Sequence, residues 1–166
     1  MSEILAEVAP SAVRRFISAG VLASLGLMFI YLAASRPPSG LHWIAIMVGC
    51  GLVLIYGAHK LWLSTDRVIE LTEDELRMSD GTVLCKVEDI AKIDRSFFAF
   101  KPSNGFLIST KVSYPRAWVP GLWWRMGKRV GIGGVTPGAG CKVMADKIII
   151  MIAERDGLLD QSPFAR

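Results

Sequence analysis

The chain has 166 residues, 52% hydrophobic and 20% charged, with a mean hydropathy of +0.41. That is too apolar for an ordinary soluble domain and too charged for a wholly embedded one, so the chain must be split between two environments. The formal charge of +4 is modest and acidic residues interleave with basic ones through the C-terminal half, so no nucleic-acid partner is expected.

Residues 1–15 form an N-terminal segment with Glu3 and Glu7 ahead of Arg14 and Arg15. Ile4, Leu5 and Val8 fall at helical spacing, which predicts a short surface helix. The small residues ending Leu32-Ala33-Ala34-Ser35 are compatible with a signal-peptidase site, but the acidic leader and the length of the apolar run argue against cleavage.

Two apolar runs follow, residues 16–35 and 43–63, each close to the roughly 20 residues a helix needs to cross a bilayer core. Arg36-Pro37-Pro38-Ser39-Gly40 between them cannot continue either helix, so residues 16–63 are expected to form a transmembrane hairpin. Arg14 and Arg15 precede the first run, Lys60 and Arg67 flank the end of the second, and the connection offers only Arg36. The positive-inside rule then places both termini in the cytoplasm of a multi-pass protein. Tyr31 and Trp43 suit the outer interface, Tyr56 and Trp62 the inner one.

Gly20 and Ser24 in the first run, and Ala45 and Gly49 in the second, are small-xxx-small pairs, with Cys50, Gly51, Gly57 and Ala58 adding small surface. Such residues let helix backbones approach closely, either to close the hairpin on itself or to dock another membrane protein. His42 and His59 lie about 25 Å apart along one helix and cannot share a metal. Either alone would be a pigment or haem ligand only as the exception to an ordinary interfacial histidine.

Residues 64–157 carry the punctuation of a small folded domain. Alternation marks strands over residues 68–72, 75–79 and 82–87, with Asp80-Gly81 as a hairpin turn. In the third strand Val83, Cys85 and Val87 should face one way and Leu84 and Lys86 the other. Ile90 and Ile93 return to the core before a strand at residues 95–101, where Phe98 and Phe100 share a face. Asn104-Gly105 then turns into a strand over residues 106–112. Five strands in this order predict an antiparallel meander.

Residues 113–129 read SYPRAWVPGLWWRMGKR. Pro115 and Pro120 are expected to deny this stretch regular ladder pairing. It gathers Trp118, Trp123 and Trp124 beside Arg116, Arg125, Lys128 and Arg129, the residue types that dominate binding surfaces and also suit a headgroup layer. Three destinations stay open: a protein partner, membrane lipid, or the domain's own core. Residues 130–134 predict one more strand, and Thr136-Pro137 a cap before an amphipathic helix over about 141–155 with Met144, Ile148, Met151 and Ile152 on one stripe. Residues 158–166 read as a tail.

The run RVIELTEDELRMSDGTVLCKVEDIAKI, with its paired hairpins and its Val87-Glu88-Asp89-Ile90 step, and the late RVGIGG strand leading into a helix, resemble bacterial membrane-anchored proteins that carry a pleckstrin-homology-like domain. The resemblance implies a membrane α plus β fold: two transmembrane helices, then a small PH-like antiparallel β domain closed by one C-terminal helix. Basic residues around the first hairpin hold phosphoinositides in lipid-binding members. Here Leu71-Thr72-Glu73-Asp74-Glu75 is acidic and would repel phosphate, so the implied role is a scaffold for protein contacts.

Catalytic chemistry finds no purchase. Residues 131–142 are glycine-rich, but Cys141 separates Gly140 from Lys142 and Val143 replaces the magnesium-binding hydroxyl of a phosphate loop; Thr136 likewise stands where the last glycine of a dinucleotide motif belongs. No nucleotide is expected. Cys50, Cys85 and Cys141 form no metal-ligand pattern, and the domain holds no histidine to pair with a nucleophile, so no metal, cofactor or enzyme activity is expected. The leading expectation is a non-catalytic accessory or assembly subunit of a larger bacterial inner-membrane complex, respiratory or photosynthetic. The alternative is a membrane-anchored module that binds anionic lipid headgroups.

Overall fold

The computed structural model describes residues 3–95 and 102–157. In chain order the elements are strand β1 (Ile4–Val8), helices α1 (Ala12–Ser35) and α2 (Leu41–Ser64), strands β2 (Ile69–Thr72), β3 (Glu75–Met78), β4 (Val83–Lys86), β5 (Ile90–Asp94), β6 (Phe106–Val119) and β7 (Trp123–Ile132), and helix α3 (Gly138–Arg155). The chain divides into a helical unit, Ser11–Asp66, and a β domain made of Met1–Pro10 with Arg67–Arg166.

In the helical unit, α1 and α2 are long and apolar enough to cross a membrane. They meet along Ala19, Gly26 and Ala33 of α1 and Gly51, Ala58 and Leu61 of α2, the residues each helix buries. The backbones come closest at Gly26 and Gly51: a methyl on Gly26 would stand 2.7 Å from the Gly51 carbonyl oxygen, and one on Gly51 would stand 2.8 Å from that of Gly26. Small residues thus recur every seventh position along the seam, the repeat that keeps two supercoiled helices in register. Arg15 fastens the end of the pair. Its guanidinium donates to Asp66 at 2.9 Å and to the Trp62 carbonyl at 2.7 Å, and stacks over the Trp62 ring at 4.3 Å.

In the β domain, residues 4–8 are a strand, where helical spacing predicted a surface helix. Ala6 packs against the core and Val8 is buried, a period of two. The sheet interaction overrides the local pattern, because β1 pairs antiparallel with β2 and sets Val8 opposite Ile69. Both long helices therefore lie within the connection between two neighbouring strands.

The first sheet has the order β1-β2-β3-β4 and the second β5-β6-β7, all pairs antiparallel. Asp80-Gly81 turns β3 into β4 as expected, with the Gly81 N–H on the Met78 carbonyl at 2.9 Å. Register slips by one residue between Leu76↔Cys85 and Arg77↔Val83, leaving Leu84 as the extra residue of a bulge. Strict alternation fails there, and Leu84 and Cys85 are both fully buried. The strand after the Glu88-Asp89 step is β5 at Ile90–Asp94; the strand expected at residues 95–101 lies, apart from Arg95, outside the described residues, as does the tail.

The largest departure is at residues 113–129. Both prolines are accommodated within one long hairpin, β6 with β7. Pro120 occupies the tip, and Pro115 sits where the register shifts between Tyr114 and Ala117, so neither removes a ladder hydrogen bond. Gly127, at φ 58°, faces Tyr114 at this irregularity, a left-handed conformation that glycine adopts at little cost. The hairpin bends there and its tip returns to its base: Gly133 N–H donates to the Leu122 carbonyl at 2.9 Å and Val135 N–H to that of Gly121 at 3.0 Å.

Helix α3 closes the domain. It begins at Gly138 with Pro137 as N-cap, earlier than expected and without a side-chain cap from Thr136. Cys141, Met144, Ala145 and Ile148 are buried, with Met151 and Ile152 partly so. The Lys147 ammonium reaches the Leu5 carbonyl, and Arg155 Nη1 donates to the carbonyls of Glu88 and Ile90 at 3.0 and 2.9 Å.

Candidate functional site

The β6–β7 hairpin sorts its tryptophans and cations by the face on which each falls. At the tip Leu122 N–H donates to the Val119 carbonyl at 3.2 Å, and Gly121, at φ 79°, fills the third place of a Pro-Gly turn. Trp123 turns inward, 2% exposed, and its indole N–H points at the Met78 sulfur at 2.9 Å. Arg125 also turns inward. Its Nε donates to the Pro115 carbonyl at 2.8 Å and its Nη1 to those of Val83 and Leu84 at 2.9 and 2.7 Å, and the guanidinium lies 5.3 and 5.7 Å from the Tyr114 and Trp123 rings. Its five donors lie in one fixed planar fork, so three carbonyls on two segments hold it as a clamp between the sheets.

Trp124 pairs with Trp118 across the strands and lies on Gly131, where a methyl would come within 2.5 Å of the indole. Trp118 itself is 71% exposed, and Arg116, Lys128 and Arg129 are exposed as well. Of the seven residues singled out from the sequence, Trp123 and Arg125 thus serve the core and its closure, and Trp124 backs the sheet. Trp118, Arg116, Lys128 and Arg129 remain presented. Beside Trp118 an open groove of about 320 Å³ is lined by Trp124, Pro102 and the backbones of Gly121, Gly133 and Gly134.

The glycine-rich stretch has a structural explanation. Gly131 makes room for Trp124, Gly133 donates one of the returning hydrogen bonds, Gly134 lies against the Gly121 carbonyl, and Gly138 begins α3. Among the described residues no group of three or more histidine, cysteine, aspartate and glutamate side chains could hold a metal ion. Burial pushes the Cys85 thiol up to about 12, so it stays protonated and unreactive at neutral pH. The Tyr114 hydroxyl, raised by burial and then by its 2.6 Å bond to Asp89, accepts the Lys86 N–H at 3.0 Å and braces β4 against β6.

On the helices, Gly20, Ser24, Ala45 and Gly49 are not the residues that join α1 to α2. A methyl on Gly20 or Gly49 would meet nothing within 4 Å, and Ser24 and Ala45 are exposed. A shallow groove of about 540 Å³ runs along α1 past Phe16, Gly20, Ser24 and Met28. His42 and His59 are also exposed on α2.

No protein-family model matches the chain, and no curated protein or solved structure matches it. The site must be judged on its own geometry.

Ala19, Gly26 and Ala33 are not singled out from the sequence, and Gly51 and Ala58 count there only as added small surface. Their signal is a seven-residue recurrence of small residues, a longer period than the four-residue pairs. Arg15 counted only as a topology charge, and no local signal announces its bond to Asp66.

Proposed function

We propose that the chain is a non-catalytic accessory or assembly subunit of a bacterial inner-membrane complex, with respiratory and photosynthetic complexes as the candidate hosts. It docks through its helix hairpin and a cytoplasmic PH-like domain. The observation that carries this reading is that the hairpin closes through Gly26 and Gly51 and leaves Gly20, Ser24, Ala45 and Gly49 facing outward. Small outward residues at four-residue spacing are what a further membrane helix packs against.

Sheet topology supports the rest. Antiparallel sheets closed by one C-terminal helix support the PH-like reading, to which β1 adds a strand from the N-terminal segment. The pairing of β1 with β2 supports placing the segments on either side of the hairpin on one side of the membrane, and the basic residues at that end favour the cytoplasm.

The test is purification of the tagged protein from its native membrane in mild detergent, with mass spectrometry of what accompanies it. A stoichiometric set of membrane subunits is expected, lost in an Ala45→Leu/Gly49→Leu variant. Gly49 has open space around it, so the variant leaves the hairpin intact. Recovery of the chain without protein partners, or undiminished co-purification of the variant, would overturn the proposal.

A further inference from the structure

The β domain has one end from which both helix connections leave. Val8, the last residue of β1, faces Ile69, the first of β2, and Ile69 faces Met78. Met78 receives the Trp123 indole N–H, and Trp123 pairs with Val119 beside the hairpin tip. Pro120, Gly121 and the exposed Trp118 therefore stand at the end that leads into α1 and out of α2. The connections are short: residues 9–11 join β1 to α1, and residues 65–68 join α2 to β2.

The composition at this end suits a lipid headgroup layer. Trp118 is 71% exposed, and Arg116 is exposed two residues before it. The groove beside Trp118 is walled by indole, proline and glycine backbone with no carboxylate. In the sequence, residues 95–145 contain eight lysines and arginines and no aspartate or glutamate. At the other end of the first sheet Glu73, Asp74, Glu75 and Glu88 line a separate hollow with Lys86; at the near end Asp80 of the β3–β4 turn is paired with Arg67 at 2.6 Å. Indoles favour the bilayer interface, cations favour anionic lipid, and a short tether makes even feeble contacts effective.

We infer that Trp118, with Arg116 and the groove beside it, contacts phospholipid headgroups of the bilayer that holds α1 and α2. The inference rests on the membrane insertion contained in the proposed function. The occupant is phospholipid with an anionic component. A protein seated on Trp118 is the competing outcome.

The experiment uses the full chain in nanodiscs of phosphatidylcholine and phosphatidylglycerol, with or without brominated acyl chains that quench nearby indoles. The Trp118 signal is the difference in emission between the unaltered protein and Trp118→Phe, an exposed position where phenylalanine leaves the fold intact. That difference should be largely lost in brominated discs. It should recover when phosphatidylglycerol is omitted at high salt, and in part in Arg116→Gln. An unquenched Trp118 signal, with the remaining emission quenched through Trp43 and Trp62 of α2, overturns the inference alone. Absence of all quenching overturns the membrane reading as well.

Discussion

Val8 and Ile69 face each other across an antiparallel strand pair although both long helices lie between them in the chain. The domain therefore cannot be obtained by cutting the chain after α2, because such a fragment lacks β1 and exposes the edge of β2. A fragment starting at Arg67 is expected to aggregate, as an uncovered edge strand does. Replacing residues 9–68 with a two-residue hairpin turn should give a soluble, folded domain, read by dispersed amide NMR signals. Within the intact chain, Val8→Ala should lower domain stability by roughly 2 kcal/mol, from lost apolar burial and the cavity left behind, measured by urea titration.

Gly26 and Gly51 fix the helix pair through backbone contact. Gly26→Leu or Gly51→Leu would drive a side chain into the facing carbonyl, at a cost of roughly 1–3 kcal/mol as for other overpacked interiors. Gly20→Leu and Gly49→Leu should leave the pair unaffected. Disulfide cross-linking between cysteines placed on the two helices distinguishes these sets.

Arg125 is expected to matter for stability, and Arg116 for surface contact only. Arg125→Lys keeps the charge but loses the fork that reaches Pro115, Val83 and Leu84 together, for an expected loss of about 2 kcal/mol. Arg116→Gln should unfold at the same urea concentration as the unaltered protein, since its side chain is exposed.

The pH dependence has two limbs. Asp80 is held below its ordinary value of 3.8 by the backbone N–H and hydroxyl of Thr82, with Arg67 adding attraction. A depressed carboxyl contributes stability that is present above 3.8 and lost as pH falls through its folded value. Asp80→Asn should therefore be less stable at neutral pH and show a flatter acid limb. Cys85 moves the other way. Its contribution is whole below the ordinary 9.0 and is lost as pH rises toward about 12. In the folded protein at mildly alkaline pH, Cys85 should resist a maleimide and react only after urea is added.

The sequence by itself determined what local chemistry determines. Runs of apolar residues mark α1 and α2, and Asp-Gly marks the β3–β4 turn. The stripe through Met144 and Ile148 marks the buried face of α3. Each signal lies within a few residues of the element it specifies. Tertiary structure decided what depends on distant partners. Residues 4–8 are a strand because β2 offers them an edge. Leu84 turns inward because the register slips against β3. Trp123 and Arg125 leave the candidate surface because Met78 and the β4 carbonyls receive them. Their sequence neighbours Trp118 and Arg116 stay exposed, and no one-dimensional pattern separates the two pairs, since a bend at Tyr114 and Gly127 brings the hairpin tip back to its base.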